Sequence, residues 1–194
     1  MFDAEHQAFS ALLTDLTPRQ WATPSLCEGW TVMDVATHVA FHIHRTGVRE
    51  TLGSTAKHTV LAVGREGAEG IDGLRRWFAS PCAPHARRSM VNVCELVIHQ
   101  QDVRRALDLP RTYPDPTIRA CLDFCVRPLG SILVLERARR RARGLHLAAS
   151  DLAWSSGRGP RVVGPAEALL MALAHREPVL RELAGPGLGV LTSR

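Results

Sequence analysis

The stretch Ser89-Met90-Val91-Asn92-Val93-Cys94-Glu95-Leu96-Val97-Ile98-His99-Gln100-Gln101-Asp102-Val103-Arg104-Arg105-Ala106-Leu107 decides how the chain is read. Val91, Cys94, Leu96, Val97, Ile98, Val103 and Leu107 recur at helical spacing, so the stretch predicts one strong helix. Glu95 and His99 are four apart and project from one face, stacked one turn apart. The three residues between them are apolar. A carboxylate and an imidazole beside a hydrophobic surface are costly unless they share a partner. A divalent metal is an economical one, since each group donates an electron pair. The spacing alone leaves a surface ion pair or a satisfied core histidine open beside the metal.

Upstream, Phe2, Phe9, Leu12, Leu13 and Leu16 predict a first helix that Thr17-Pro18 ends. Thr31 with Asp34 three residues on resembles a capping box and opens a second helix through Val35, His38, Val39 and His42 to about Leu52. His38 and His42 are again four apart. If this helix neighbours the one carrying Glu95, His38 completes a set of two histidines and a glutamate. Three protein ligands leave a coordination position open, the mark of a catalytic zinc site. Gly53 to Gly73 is ambiguous, with a short helix around Ile71–Phe78 before Pro81 and Pro84 break the chain.

Downstream, Asp115-Pro116 reads as an N-cap followed by proline at the first helical position. That helix carries Ile118, Cys121, Leu122, Cys125 and Leu129 on one face and extends to Arg143, with a kink at Pro128. After Gly144 the pattern changes. Leu145–Ala149, Leu152–Trp154 and Arg161–Val163 read as short strands, Pro165–Ala174 and Pro178–Leu183 as helices, and Leu188–Leu191 as a last strand. The expected fold is therefore mainly α: a helical bundle over 1–143, then a small α+β unit over 144–194.

The chain has 194 residues, 45% hydrophobic and 22% charged, which excludes general disorder and allows one substantial core. No apolar run is long enough to span a membrane; even Val126–Leu135 is broken by Arg127 and Pro128. The net charge of +5 does not by itself indicate nucleic acid. The run Arg137, Arg139, Arg140, Arg141, Arg143 lacks interleaved aromatics and reads as a solvated helix end. Five cysteines form no tight framework, and the N-terminus lacks a signal pattern. The expectation is a cytoplasmic protein, monomer or homodimer, with free thiols.

Three blocks of the chain carry a resemblance. Pro24-Ser25-Leu26-Cys27-Glu28-Gly29-Trp30-Thr31-Val32 with Asp34, Val35 and His38 resembles the N-terminal signature of the mycothiol-dependent maleylpyruvate isomerase family, within the DinB-like superfamily. Glu95 to Arg104 resembles that family's second metal-binding segment. Asp151–Ser155, Gly164-Pro165 and Leu183–Gly187 resemble its C-terminal unit. The resemblance implies a DinB-like four-helix bundle holding one divalent metal, usually zinc, with His38, Glu95 and His99 on the ligand positions. It also implies mycothiol, a low-molecular-weight thiol, as cosubstrate. Zinc would ionise that thiol for attack on a small-molecule electrophile, ending in a thioether or in an isomerised double bond. The stretch between His38 and Glu95 is short for the family, which implies a more open pocket.

Further residues carry expectations of their own. His42 is a candidate proton shuttle, alternative ligand or simply packed histidine. Asp102 is a candidate partner that orients a ligand, or a helix-surface carboxylate near Arg104 or Arg105. Arg176 is a candidate for binding an anionic group of thiol or substrate, against a structural pair with Glu177 or Glu182. Before it, His175 stands where the family often has glycine. Cys27 reads as a buried structural thiol, and Cys121 and Cys125 as core. Two other classes remain open: non-haem Fe(II) chemistry on the same set, and a metal-binding member that has lost turnover.

Overall fold

A computed structural model describes residues 1–44, 70–82, 84–127 and 133–194, the last range with side chains from residue 137 onward. The expected run of the second helix to Leu52, the Gly-rich stretch before residue 70, the short spacer's effect on the pocket and the kink at Pro128 lie outside the described residues. Contacts gather the chain into two compact units, Met1–Arg111 and Thr112–Arg194.

The first unit holds α1 (Phe2–Asp15), α2 (Pro18–Trp21), α3 (Val32–His44), α4 (Gly70–Ala79), α5 (Pro84–Arg87) and α6 (Met90–Ala106). Helix α1 packs against α4 and α6, and α3 packs against the same two, so the four long helices close a ring. Phe9 and Leu13 from α1, Val35, Val39 and Ile43 from α3, Leu74 and Phe78 from α4, and Leu96 and Val97 from α6 fill it. Each such side chain contributes about 1.5–3 kcal/mol by leaving water. Thr17 does more than end α1. Its hydroxyl accepts from Gln20 N and its backbone N–H donates to the Gln20 side chain, a capping box that opens α2.

The second unit holds α7 (Asp115–Val126), α8 (Leu133–Ala142), β1 (His146–Ala149), β2 (Ser155–Gly157), β3 (Arg161–Gly164), α9 (Ala166–Leu173), a 3-10 turn (Glu177–Glu182) and α10 (Leu188–Thr192). Strand β1 is central, antiparallel to β2 with His146 opposite Gly157, and parallel to β3 with His146 opposite Arg161. Between β2 and β3 the turn requires Gly159: its φ is 133°, and a Cβ there would fall 2.1 Å from the Gly144 carbonyl oxygen. Helix α9 is buried at every position but Glu167 and packs against α7, α8, β1 and β3. The described residues are mainly helical, a four-helix bundle followed by a small α+β unit.

Several elements differ from the sequence reading. The compact units divide between Arg111 and Thr112 rather than after Arg143, because the four-helix ring is complete at Ala106 and α7 and α8 pack on α9. Pro114, not Asp115, is the N-cap of α7, with no side-chain cap bond. Leu152–Trp154 is a turn. Trp154 N donates to Leu152 O at 2.7 Å, Trp154 is buried with Nε1 donating to Asp123 Oδ1 at 2.9 Å, and the strand starts at Ser155. Leu188–Leu191 is helical, with Val190 N and Leu191 N both donating to Gly187 O. Arg141 is not solvated: it is 1% exposed, with Nε donating to Leu191 O at 3.2 Å and a terminal nitrogen to Glu177 at 3.1 Å.

Candidate metal centre

The loop before α3 brings the two histidine-bearing helices together. Pro24 and Thr31 form a bridge, and Ser25 bonds the Trp30 carbonyl through both its N–H, at 2.8 Å, and its hydroxyl, at 2.9 Å. Leu26 N donates to the Asp102 carbonyl at 3.1 Å, which ties the loop to α6. Thr31 then starts α3 as expected: its N–H donates to Asp34 Oδ2 at 3.0 Å, and Asp34 N donates back to Thr31 Oγ1 at 3.2 Å.

On this frame the three expected ligand residues meet. His38 Nε2 lies 3.0 Å from Glu95 Oε2, and His99 Nε2 lies 3.1 Å from the same oxygen. Asp102 Oδ2 accepts the Nδ1 proton of His99 at 2.8 Å. Trp30 stands against both imidazoles, edge-on to His38 at 4.9 Å and stacked with His99 at 6.2 Å. His42 joins the group, its ring 4.5 Å from that of His38. One donor atom each from His38, His42 and Glu95 falls within 4.8 Å of the others.

Burial and charge set the protonation of these groups. Desolvation pushes His38 down to about 4, the bond to Glu95 only partly opposing it, so this imidazole is neutral at pH 7. Burial also acts on His99, but the bonds to Asp102 and Glu95 outweigh it and raise its pKa to about 9. Burial would raise Glu95, yet its bonds to His38 and His99 hold it well below the ordinary carboxylate range. Glu95 is thus a buried carboxylate beside a protonated His99. His38 Nδ1 is buried with no hydrogen-bond partner. A carboxylate oxygen met by the Nε2 atoms of His38 and His99, with His42 beside His38, is a donor set that fits a divalent cation in place of the His99 Nε2 proton.

The other expectations fare differently. Asp102 is fully buried and faces His99, as a partner that orients a ligand would. Cys27 is half-buried rather than buried, Cys121 and Cys125 are core, and all five cysteines are free thiols. Arg176 belongs to the second unit and donates to the Ala174 carbonyl at 2.6 Å, while Glu177 is held by Arg141. Sequence reading gave no role to Trp30, whose only signal was its place in the loop signature. It also missed a buried polar cluster behind α6. Glu5, 1% exposed, takes Arg111 at 2.7 Å, and Arg111 and Arg104 both donate to Gln100 Oε1. Nothing local in the sequence links residues 5, 100 and 111.

Comparison with known proteins supplies a context for this geometry. Residues 2–92 match the family model of the mycothiol maleylpyruvate isomerase N-terminal domain. The match includes His38 and ends before Glu95. A crystal structure of mycothiol-dependent maleylpyruvate isomerase shares the fold, with a TM-score of 0.58 at 14% identity, covering 95% of this chain and 90% of that one. A histidine-to-alanine mutant of mycothiol-dependent maleylpyruvate isomerase gives a TM-score of 0.58 at 15% identity with the same coverage. No curated protein matches the chain by sequence. Residues 2–92 thus resemble the mycothiol maleylpyruvate isomerase N-terminal domain, on a chain with the fold of those structures.

Proposed function

We propose that this chain is a metal-dependent enzyme that uses mycothiol to attack an electrophilic small molecule, as an S-transferase or a thiol-assisted isomerase. The observation that carries this reading is the convergence of His38 and His99 on one Glu95 oxygen, within 3.1 Å, inside a bundle whose N-terminal part matches that family. His38, Glu95 and His99 are the proposed ligands and zinc the proposed ion, which a set of two histidines and a carboxylate with an open position suits. When bound, such an ion supplies the positive charge that ionises a thiol at neutral pH, where a free thiol with pKa about 8.5 is mostly protonated.

The chain's own groups do the rest. Asp102 Oδ2 holds the His99 Nδ1 proton, which fixes the ring and leaves Nε2 as the donor. Trp30 closes one side of the site against water. In the reaction the sulfur adds to the electrophilic carbon, the double bond becomes a single bond and rotates, and elimination of sulfur restores it in the other geometry. If a proton adds to the neighbouring carbon instead, the product is a thioether. His42, whose ring lies 4.5 Å from that of His38, is the proposed carrier of that proton, and Arg176 is the proposed partner of an anionic group. The five free thiols suit a reducing cytoplasm.

The test follows maleylpyruvate and simpler electrophiles with mycothiol, with glutathione and with no thiol. Turnover or thioether formation that requires mycothiol is expected. Equal turnover without any thiol overturns the proposal and favours the second reading, in which His38, His42 and Glu95 hold Fe(II) as two histidines and a carboxylate for oxygen chemistry. For Arg176→Ala the expected result is a raised KM at unchanged melting temperature. An unchanged KM with a lowered melting temperature returns Arg176 to a structural role.

A further inference from the structure

Away from Glu95, three other potential ligands meet in the first unit. His6 on α1, His44 at the end of described α3 and Cys82 after α4 bring one donor atom each to within 4.8 Å of the others. Cys82 Sγ lies 3.5 Å from His6 Nε2. Donors around a tetrahedral zinc stand about 3.5 Å apart, given metal–nitrogen and metal–sulfur bonds of about 2.0–2.3 Å. That pair is already at the required separation.

Each imidazole is held as a ligand would be. The His6 ring lies nearly parallel between Phe2 and Phe78, with both ring centres 5.8 Å away, which fixes its plane. His44 bonds the backbone of Trp77. Its Nε2 is buried and has no hydrogen-bond partner, so the bond to Trp77 falls to Nδ1. Nδ1–H to a backbone carbonyl with Nε2 bare is the arrangement that orients metal-bound histidines. Burial lowers the pKa of both rings, so both present lone pairs at neutral pH. A buried imidazole nitrogen without a partner costs free energy that packing alone leaves unrecovered.

We propose that His6, His44 and Cys82 form a second metal site, distinct from the Glu95 centre, that takes a thiophilic divalent cation of the zinc type. Two imidazole nitrogens and one sulfur exclude magnesium and calcium, which demand oxygen ligands. On binding, Cys82 releases its thiol proton to solvent and its sulfur bonds the ion, while both imidazoles bind neutral; one proton leaves per ion. His6 and Cys82 also line a cleft of about 580 Å³ that includes Asp3, Ser10 and Arg87. The fourth coordination position opens there, to water or a small ligand. The site would clip α1, α3 and the chain after α4 together. No sequence spacing announces it, because its donors come from three segments.

Cobalt(II) is the probe, added to the full-length protein after chelator dialysis, with no thiol present. The expected result is a thiolate-to-cobalt charge-transfer band in the near ultraviolet that zinc abolishes. The band should vanish in Cys82→Ser and weaken in His6→Gln and His44→Gln, with far-ultraviolet dichroism unchanged. In His38→Ala, which removes a ligand of the other site, it should persist. Failure of the Glu95 centre would show instead as lost turnover with the band intact. Absence of the band in the wild-type protein, or its survival in Cys82→Ser, overturns the proposal.

Discussion

Asp102 is fully buried on α6, and its Oδ2 lies 2.8 Å from His99 Nδ1. A carboxylate in that position sets both the tautomer and the basicity of the imidazole it holds. Asp102→Asn keeps the volume and removes the charge. It should weaken zinc binding about 10–100-fold with little loss of fold, as measured by competition with a chelator. Unchanged affinity would reduce Asp102 to packing. His175 offers a different test. Its φ is +62°, and the bonds His175 N to Ala172 O and Arg176 N to Met171 O, both 3.0 Å, close the end of α9. That left-handed position favours glycine, and a side chain there costs about 1 kcal/mol. His175→Gly should therefore raise the melting temperature by a few degrees, roughly 1 kcal/mol of stability. A lower melting temperature would show that the histidine ring contributes contacts worth more than the strain.

At the scale of elements, caps and burial decide what the sequence could reveal. The Thr31–Asp34 capping box and the four-residue spacing of Glu95 and His99 were legible because both are local: the interacting groups lie within one helical turn. Arg141 was not legible. It sits in a run of arginines with nothing to mark it, and only Leu191 and Glu177, far along the chain, make it a buried residue. Arg141→Ala should cost about 2–3 kcal/mol in urea denaturation, whereas Arg137→Ala, on the exposed side of the same helix, should stay within about 0.5 kcal/mol. Equal effects would contradict the burial. The same reasoning explains the misread Leu188–Leu191: a short apolar run does not distinguish strand from helix.

For the whole molecule, the wholly and partly buried histidines link stability to pH. His6, His38 and His44 all have pKa values lowered chiefly by burial. A histidine with a lowered folded pKa leaves the unfolded chain binding more protons, so chelator-treated protein should lose stability as pH falls from about 6.5 toward 4. His99, raised to about 9, acts in the opposite sense: its contribution is complete below about 6.5 and is lost as pH rises through 9. Urea midpoints across this range should peak near neutral pH, and His99→Gln should flatten the alkaline limb. A flat profile in the wild-type protein would contradict the charge arrangement of the site.

The four-helix ring of the first unit brings α3 and α6 into contact, and in the proposed function this contact holds His38, Glu95 and His99 around one ion that activates a thiol. The most direct measurement is the initial rate of mycothiol-dependent turnover in His99→Gln beside the zinc-loaded wild-type protein, with folding checked by circular dichroism. Loss of a ligand should lower kcat/KM by at least about 100-fold, roughly 3 kcal/mol of transition-state stabilisation, in a chain that remains folded. A folded His99→Gln variant that turns over at the wild-type rate would contradict the account.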